Sequence, residues 1–69
     1  MSVFSERLVE LRKRRGLSQA AAAKEIGVSS RVFQGYEYGK NEPKMSNLVK
    51  IAELFGVSTD YLSGRTDTP

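Results

Sequence analysis

This chain predicts an all-α domain of five short helices, on three observations. Glycines recur at roughly even intervals and close stretches of helical apolar spacing. Serines stand where such stretches begin, the place of an N-cap. The one segment rich in β-formers, SSRVFQGYEYGK (29–40), has a better apolar face as a helix than as a strand.

The first element is FSERLVELRKRRG (4–16), with Phe4, Leu8 and Leu11 at i, i+4, i+7 and Gly16 free to end the helix in the left-handed region. Glu10 and Arg14 make an i, i+4 pair on it. The second, LSQAAAAKEIG (17–27), has Ser18 as N-cap, an alanine run of high helix propensity, and Gly27 as its stop. A third helix then runs to Gly39, and the loop KNEPK (40–44) is restricted by Pro43. SNLVKIAELFG (46–56) puts Leu48, Ile51, Ala52 and Phe55 on one face, with Ser46 expected as N-cap and Gly56 as stop. VSTDYLSG (57–64) supplies one or two last turns, capped by Ser58, with Asp60 well placed in the first turn.

The third helix decides the function. As a strand its two faces would carry Arg31, Phe33, Gly35, Glu37 and Val32, Gln34, Tyr36, Tyr38, and neither is cleanly apolar. As a helix, Val32, Phe33 and Tyr36 share an arc of roughly 100°. Ser30, Arg31, Gln34, Gly35 and Tyr38 take the opposite arc, with Ser29 and Gly39 as the caps. A glycine inside a helix costs about 1 kcal/mol relative to alanine. Gly35 on an outward arc leaves two accounts open: drift on an exposed face, or a partner that comes close to the backbone.

Composition narrows the function classes. Sixty-nine residues make one small domain, near the lower size for folding without staples. With no Cys and no His, disulfides, the common metal sites and His or Cys catalysis are excluded. There is no phosphate-cradling glycine loop and no carboxylate pair on a common helical face within a plausible pocket, so neither an enzyme nor a cofactor is expected. No apolar run reaches signal-peptide or membrane-spanning length, so the expectation is a soluble, cytoplasmic protein with no membrane partner. A net charge of +3 is a modest pointer to a polyanion.

Helix, three-residue turn (Gly27-Val28-Ser29), helix is the helix-turn-helix arrangement. Its second helix presents a short polar face suited to the DNA major groove, where Arg pairs with guanine and Gln with adenine. Here the chain resembles the phage-repressor-like (Cro/repressor, or XRE) helix-turn-helix proteins. The matching residues are LRKRRGLSQ (11–19), Ala23 with IGVS (26–29), YEYGKNEP (36–43) and LVKIAELFGVSTDYL (48–62). The likeness covers about residues 4–63 and implies a five-helix lambda-repressor-like domain over 1–64, with 65–69 a short tail or the start of a linker.

The resemblance also implies roles for individual residues. Ser30, Arg31, Gln34 and Gly35 match base-facing positions, in agreement with the outward arc. Gln19 matches a residue that bonds a phosphate and braces the recognition helix. Lys40, Asn41 and Lys44 match a loop along the phosphate backbone, with Ser46 and Asn47 offering amides at a helix N-terminus and the Tyr38 hydroxyl within reach of a phosphate. For each, the plain alternative is a solvated side chain. Arg12 borders the core face of its helix and Glu37 the apolar arc of the third, so the two are expected to form a partly buried ion pair, as in the family. Ala23 matches a small position where helices approach. The chain departs from the pattern with Ala22 where a large aliphatic residue is usual and Phe33 where an aliphatic one is usual, a swap that would conserve core volume.

The function this implies is a sequence-specific, double-stranded-DNA-binding transcriptional regulator, expected to be a repressor. It would act as a homodimer on a palindromic operator with half-sites about 34 Å apart. The family's use of its last helix points to Tyr61 and Leu62 for the dimer contact. The alternative is an antitoxin-like or coactivator module that binds a protein partner with the same fold.

Overall fold

The computed structural model describes residues 2–69, and among them five α-helices and no strand form. They are α1 (Val3–Arg14), α2 (Gln19–Ile26), α3 (Ser30–Tyr38), α4 (Met45–Phe55) and α5 (Thr59–Ser63). Local chemistry sets most of the ends. The side-chain oxygens of Ser18, Ser29 and Ser58 accept the backbone N–H three residues on, at 3.0 to 3.1 Å. Ser2 caps α1 in the same way through Ser5 N–H, an end that the apolar pattern did not mark. At the exit of α3, Gly39 turns left-handed at φ +77°, and the N–H groups of Lys40 and Asn41 fold back onto the Gly35 carbonyl at 2.9 and 3.2 Å.

α4 starts differently from the expectation. Lys44, not Ser46, holds the N-cap position, and no side chain caps the helix. The reason is tertiary. Asn47 Nδ2 donates to the Tyr36 hydroxyl at 3.3 Å and Leu48 packs against the core, so docking fixes where the first turn lies. That outweighs a capping preference of about 1 kcal/mol.

The core takes Leu8 and Leu11 from α1, Ala22, Ala23 and Ile26 from α2, Phe33 and Tyr36 from α3, Ile51, Ala52 and Phe55 from α4, and Leu62 from α5. α3 packs on α1 and α2, α2 on α4, and α5 on α1 and α4. Phe4 and Phe33 each meet Tyr36 edge to face, with ring centroids 6.3 and 6.4 Å apart. Ser5 is buried and donates to the Tyr36 carbonyl at 2.8 Å, tying the start of α1 to the end of α3.

Two expectations about apolar burial fail. Val32 does not share the buried arc and remains 37% exposed. The apolar arc is turned toward Glu37, which is 2% exposed because it has ionic and amide partners inside the fold. Leu62, expected on a partner surface, is fully buried in its own core, since α5 closes on both α1 and α4. Its neighbour Tyr61 is half-buried beneath the Arg7 guanidinium, 4.1 Å from the ring centroid. Arg7 also donates to the Tyr61 carbonyl, to the Thr66 carbonyl at 2.7 Å, and to the Asp67 carboxylate at 2.7 Å. Ser58 N–H donates to the Pro69 carbonyl at 3.1 Å, so residues 65–69 are held to α1 and the α4–α5 turn.

Ala22 and Phe33 are both fully buried, on helices that pack directly against each other. If the ring fills volume that the alanine leaves, Phe33→Leu and Ala22→Leu should each destabilise by about 1–3 kcal/mol. The double variant should lose clearly less than the sum. Thermal melts of the three variants check this, and strictly additive losses would disprove the exchange.

Candidate nucleic-acid interface

The site is built outward from α3. Its entry is short because Gly27, left-handed at φ +88°, lets the N–H groups of Gly27 and Val28 both reach the Ala23 carbonyl, at 2.9 and 3.0 Å. Ser29 then caps α3 at once. Rotation of α3 about its axis is set by Glu37. Its carboxylate accepts from Arg12 Nε at 2.6 Å, Arg12 Nη2 at 3.2 Å and Gln19 Nε2 at 2.8 Å. The expected Arg12–Glu37 pair is therefore present, with side chains 14% and 2% exposed. Gln19 belongs to it as a third member, and Arg12 Nη1 further donates to the Leu17 carbonyl at 2.9 Å.

With Glu37 turned inward, the opposite face of α3 is free. Arg31, Gln34 and Tyr38, at i, i+3 and i+7, line an open depression of about 330 Å³ together with Gly35, Lys40 and Asn41. Arg31 is exposed, Ser30 and Gln34 are half-exposed, and Tyr38 is 58% exposed. Lys40, Asn41, Lys44 and Ser46 follow as exposed residues along the loop and the first turn of α4, with Asn47 half-buried against Tyr36. Arg31 and Lys40 line the depression, and Lys44 and the carboxylate of Glu42 are exposed on the loop that follows. Because α4 lacks a side-chain cap, its first N–H groups remain open beside Lys44.

Gly35 is the correction in this surface. It was expected on an open arc, but it is buried. A Cβ built on it would lie 2.1 Å from Asn41 Nδ2, so the asparagine amide occupies the space of a side chain at residue 35. The account of drift on an exposed face fails, since the face is not open there, and what comes close to the backbone in the structure is this chain's own loop. A helical wheel has no means of showing it, since Asn41 lies outside the helix.

Residues 8–62 match the family described as helix-turn-helix. The chain belongs to that family. Its helix-turn-helix domain is 46% identical over 65 residues to the cryptic phage CTXphi transcriptional repressor RstR of Vibrio cholerae, covering 94% of this chain and 58% of that one. It superposes with a TM-score of 0.84 and 32% identity on the P22 c2 repressor, crystallised with a synthetic operator, covering 90% of this chain and 94% of that one. The same fold also forms part of the hydroxypropylphosphonic acid epoxidase from S. wedmorenis, at TM-score 0.79 and 28% identity, covering 99% of this chain and 34% of that one. Fold alone therefore does not set activity. The chain spans 60%, 56% and 58% of the length of three curated relatives, all named as transcriptional regulators or repressors.

Removing Arg12 alone would leave the Glu37 carboxylate buried with only Gln19. Arg12→Met should therefore cost about 3–5 kcal/mol in urea denaturation, and Arg12→Met with Glu37→Leu distinctly less. Equal or greater loss in the double variant would show that the pair acts by simple attraction.

Proposed function

We propose that this helix-turn-helix domain binds double-stranded DNA sequence-specifically, as the DNA-reading part of a cytoplasmic transcriptional repressor without enzymatic activity. The observation that carries this is the outward row of Arg31 and Gln34 on a helix whose rotation Glu37 fixes from inside the fold. Laid in the major groove, Arg31 would pair with guanine O6 and N7 and Gln34 with adenine N6 and N7, with Ser30 beside them at the helix start. Phosphates would be met by Gln19 through its remaining amide hydrogen, by the Tyr38 hydroxyl, by Lys40 and Lys44, and by the N–H groups of Ser46 and Asn47 at the open end of α4. The resemblance to RstR and to the operator-bound P22 c2 repressor supports the reading.

One domain of this size offers few base contacts, so two copies on a palindromic operator, half-sites about 34 Å apart, would supply the affinity. Leu62 is excluded from the contact between them by its burial.

Selection from random duplexes with the purified chain should enrich one sequence, bound with an affinity that falls steeply with salt. Arg31→Ala with Gln34→Ala should remove about 1–3 kcal/mol of discrimination per lost pair while leaving the melting temperature within a few degrees. Enrichment of no sequence, or an unchanged preference in the double variant, would refute the assignment.

A further inference from the structure

We infer that Asn41, a loop residue, reads a base from the seat that Gly35 leaves open on α3. The inference rests on the DNA-binding reading above. The resemblance implies a phosphate contact for Asn41, and the position of its amide suggests a different partner. It lies over the middle of α3, where the Cβ of any other residue 35 would be 2.1 Å from Nδ2. The backbone of the loop is locked there by two hydrogen bonds to the Gly35 carbonyl, from Lys40 N–H at 2.9 Å and Asn41 N–H at 3.2 Å. The amide shares the depression with Arg31 and Gln34. It is exposed and makes no side-chain hydrogen bond to the protein among the described residues, so its donor and acceptor pair is free for a ligand. Gly35 is one of six glycines in the chain and the one that sits inside a helix, with no positive φ to require it. Its missing Cβ leaves the space that the Asn41 amide takes up.

An asparagine amide in a major groove pairs bidentately with adenine N6 and N7. The loop would thus supply the third reading side chain, in place of residue 35. Its recognition would extend the row of Arg31 and Gln34 by one base pair in each half-site.

The test compares random-duplex selections for the unmodified chain, Asn41→Ala, Gly35→Ala and the double variant, with a thermal melt of each. The unmodified chain should prefer adenine by roughly tenfold or more at one position of each half-site beyond those read by Arg31 and Gln34. Asn41→Ala should abolish that preference while leaving those due to Arg31 and Gln34. Gly35→Ala should do the same by displacing the amide, with a melting temperature no lower than the unmodified chain's, and the double variant should lose no more than either single one. A uniform weakening over all sequences in Asn41→Ala marks a phosphate contact and overturns the inference. So does an unchanged preference in either single variant, or losses that add in the double. If the unmodified chain itself enriches no sequence, the DNA-binding reading fails first, a result distinct from all of these.

Discussion

The structure turns on one buried carboxylate. Glu37 lies near the end of α3 and takes hydrogen bonds from Arg12 on α1 and Gln19 on α2, so a single group joins three helices. Moving both ions of such a pair out of water costs several kcal/mol each, and their attraction repays this only with good geometry and further hydrogen bonds. Those further bonds exist here, in the Gln19 amide and the Leu17 carbonyl that Arg12 also reaches. What the arrangement secures is orientation. An apolar contact tolerates rotation of a helix, but a carboxylate held from two directions does not. The outward row of Arg31, Gln34 and Tyr38 is the geometric complement of Glu37 pointing in.

The parts that the sequence discloses are those governed by neighbours in the chain. A serine oxygen that accepts an N–H three residues on, or a glycine that turns left-handed at a helix exit, depends on a few residues, and these ends were legible at α2, α3 and α5. The Arg12–Glu37 pair was legible too, because each residue borders an apolar stripe whose direction the spacing gives and the family resemblance implies that the two meet. The failures share a different cause. Ser46 lost the N-cap position to docking of Asn47 and Leu48. Val32 was placed inside by an arc centred on the apolar side chains, while the arc that packs is turned further toward Glu37. Gly35 was judged open since nothing local reveals that Asn41 comes back over it. Leu62 was assigned by analogy to a partner surface, though its own core needed it.

The basic run Arg12-Lys13-Arg14-Arg15 shows how little a charge cluster says by itself. Arg12 is inside, bound to Glu37. Arg14 bonds Glu10 at 2.5 Å on the surface, a contact worth a few tenths of a kcal/mol. The Arg15 guanidinium sits 5.9 Å from the Phe55 ring centroid. All lie in the last turn of α1 or just after it, where the helix dipole favours cations. Arg12, Arg14 and Arg15 thus have partners within the fold, whereas Arg31, Lys40 and Lys44 are the exposed cations of α3 and the loop after it.

The helices here run from 5 to 12 residues, and α3 has 9. Helices shorter than roughly 12–15 residues are marginal in water on their own. None of the five can therefore persist once its neighbours are gone, and unfolding is expected to be cooperative, with no partly melted species of appreciable population. Under mild denaturant the molecules would divide into those with an intact candidate interface and those with none, and the survivors would keep its geometry unchanged.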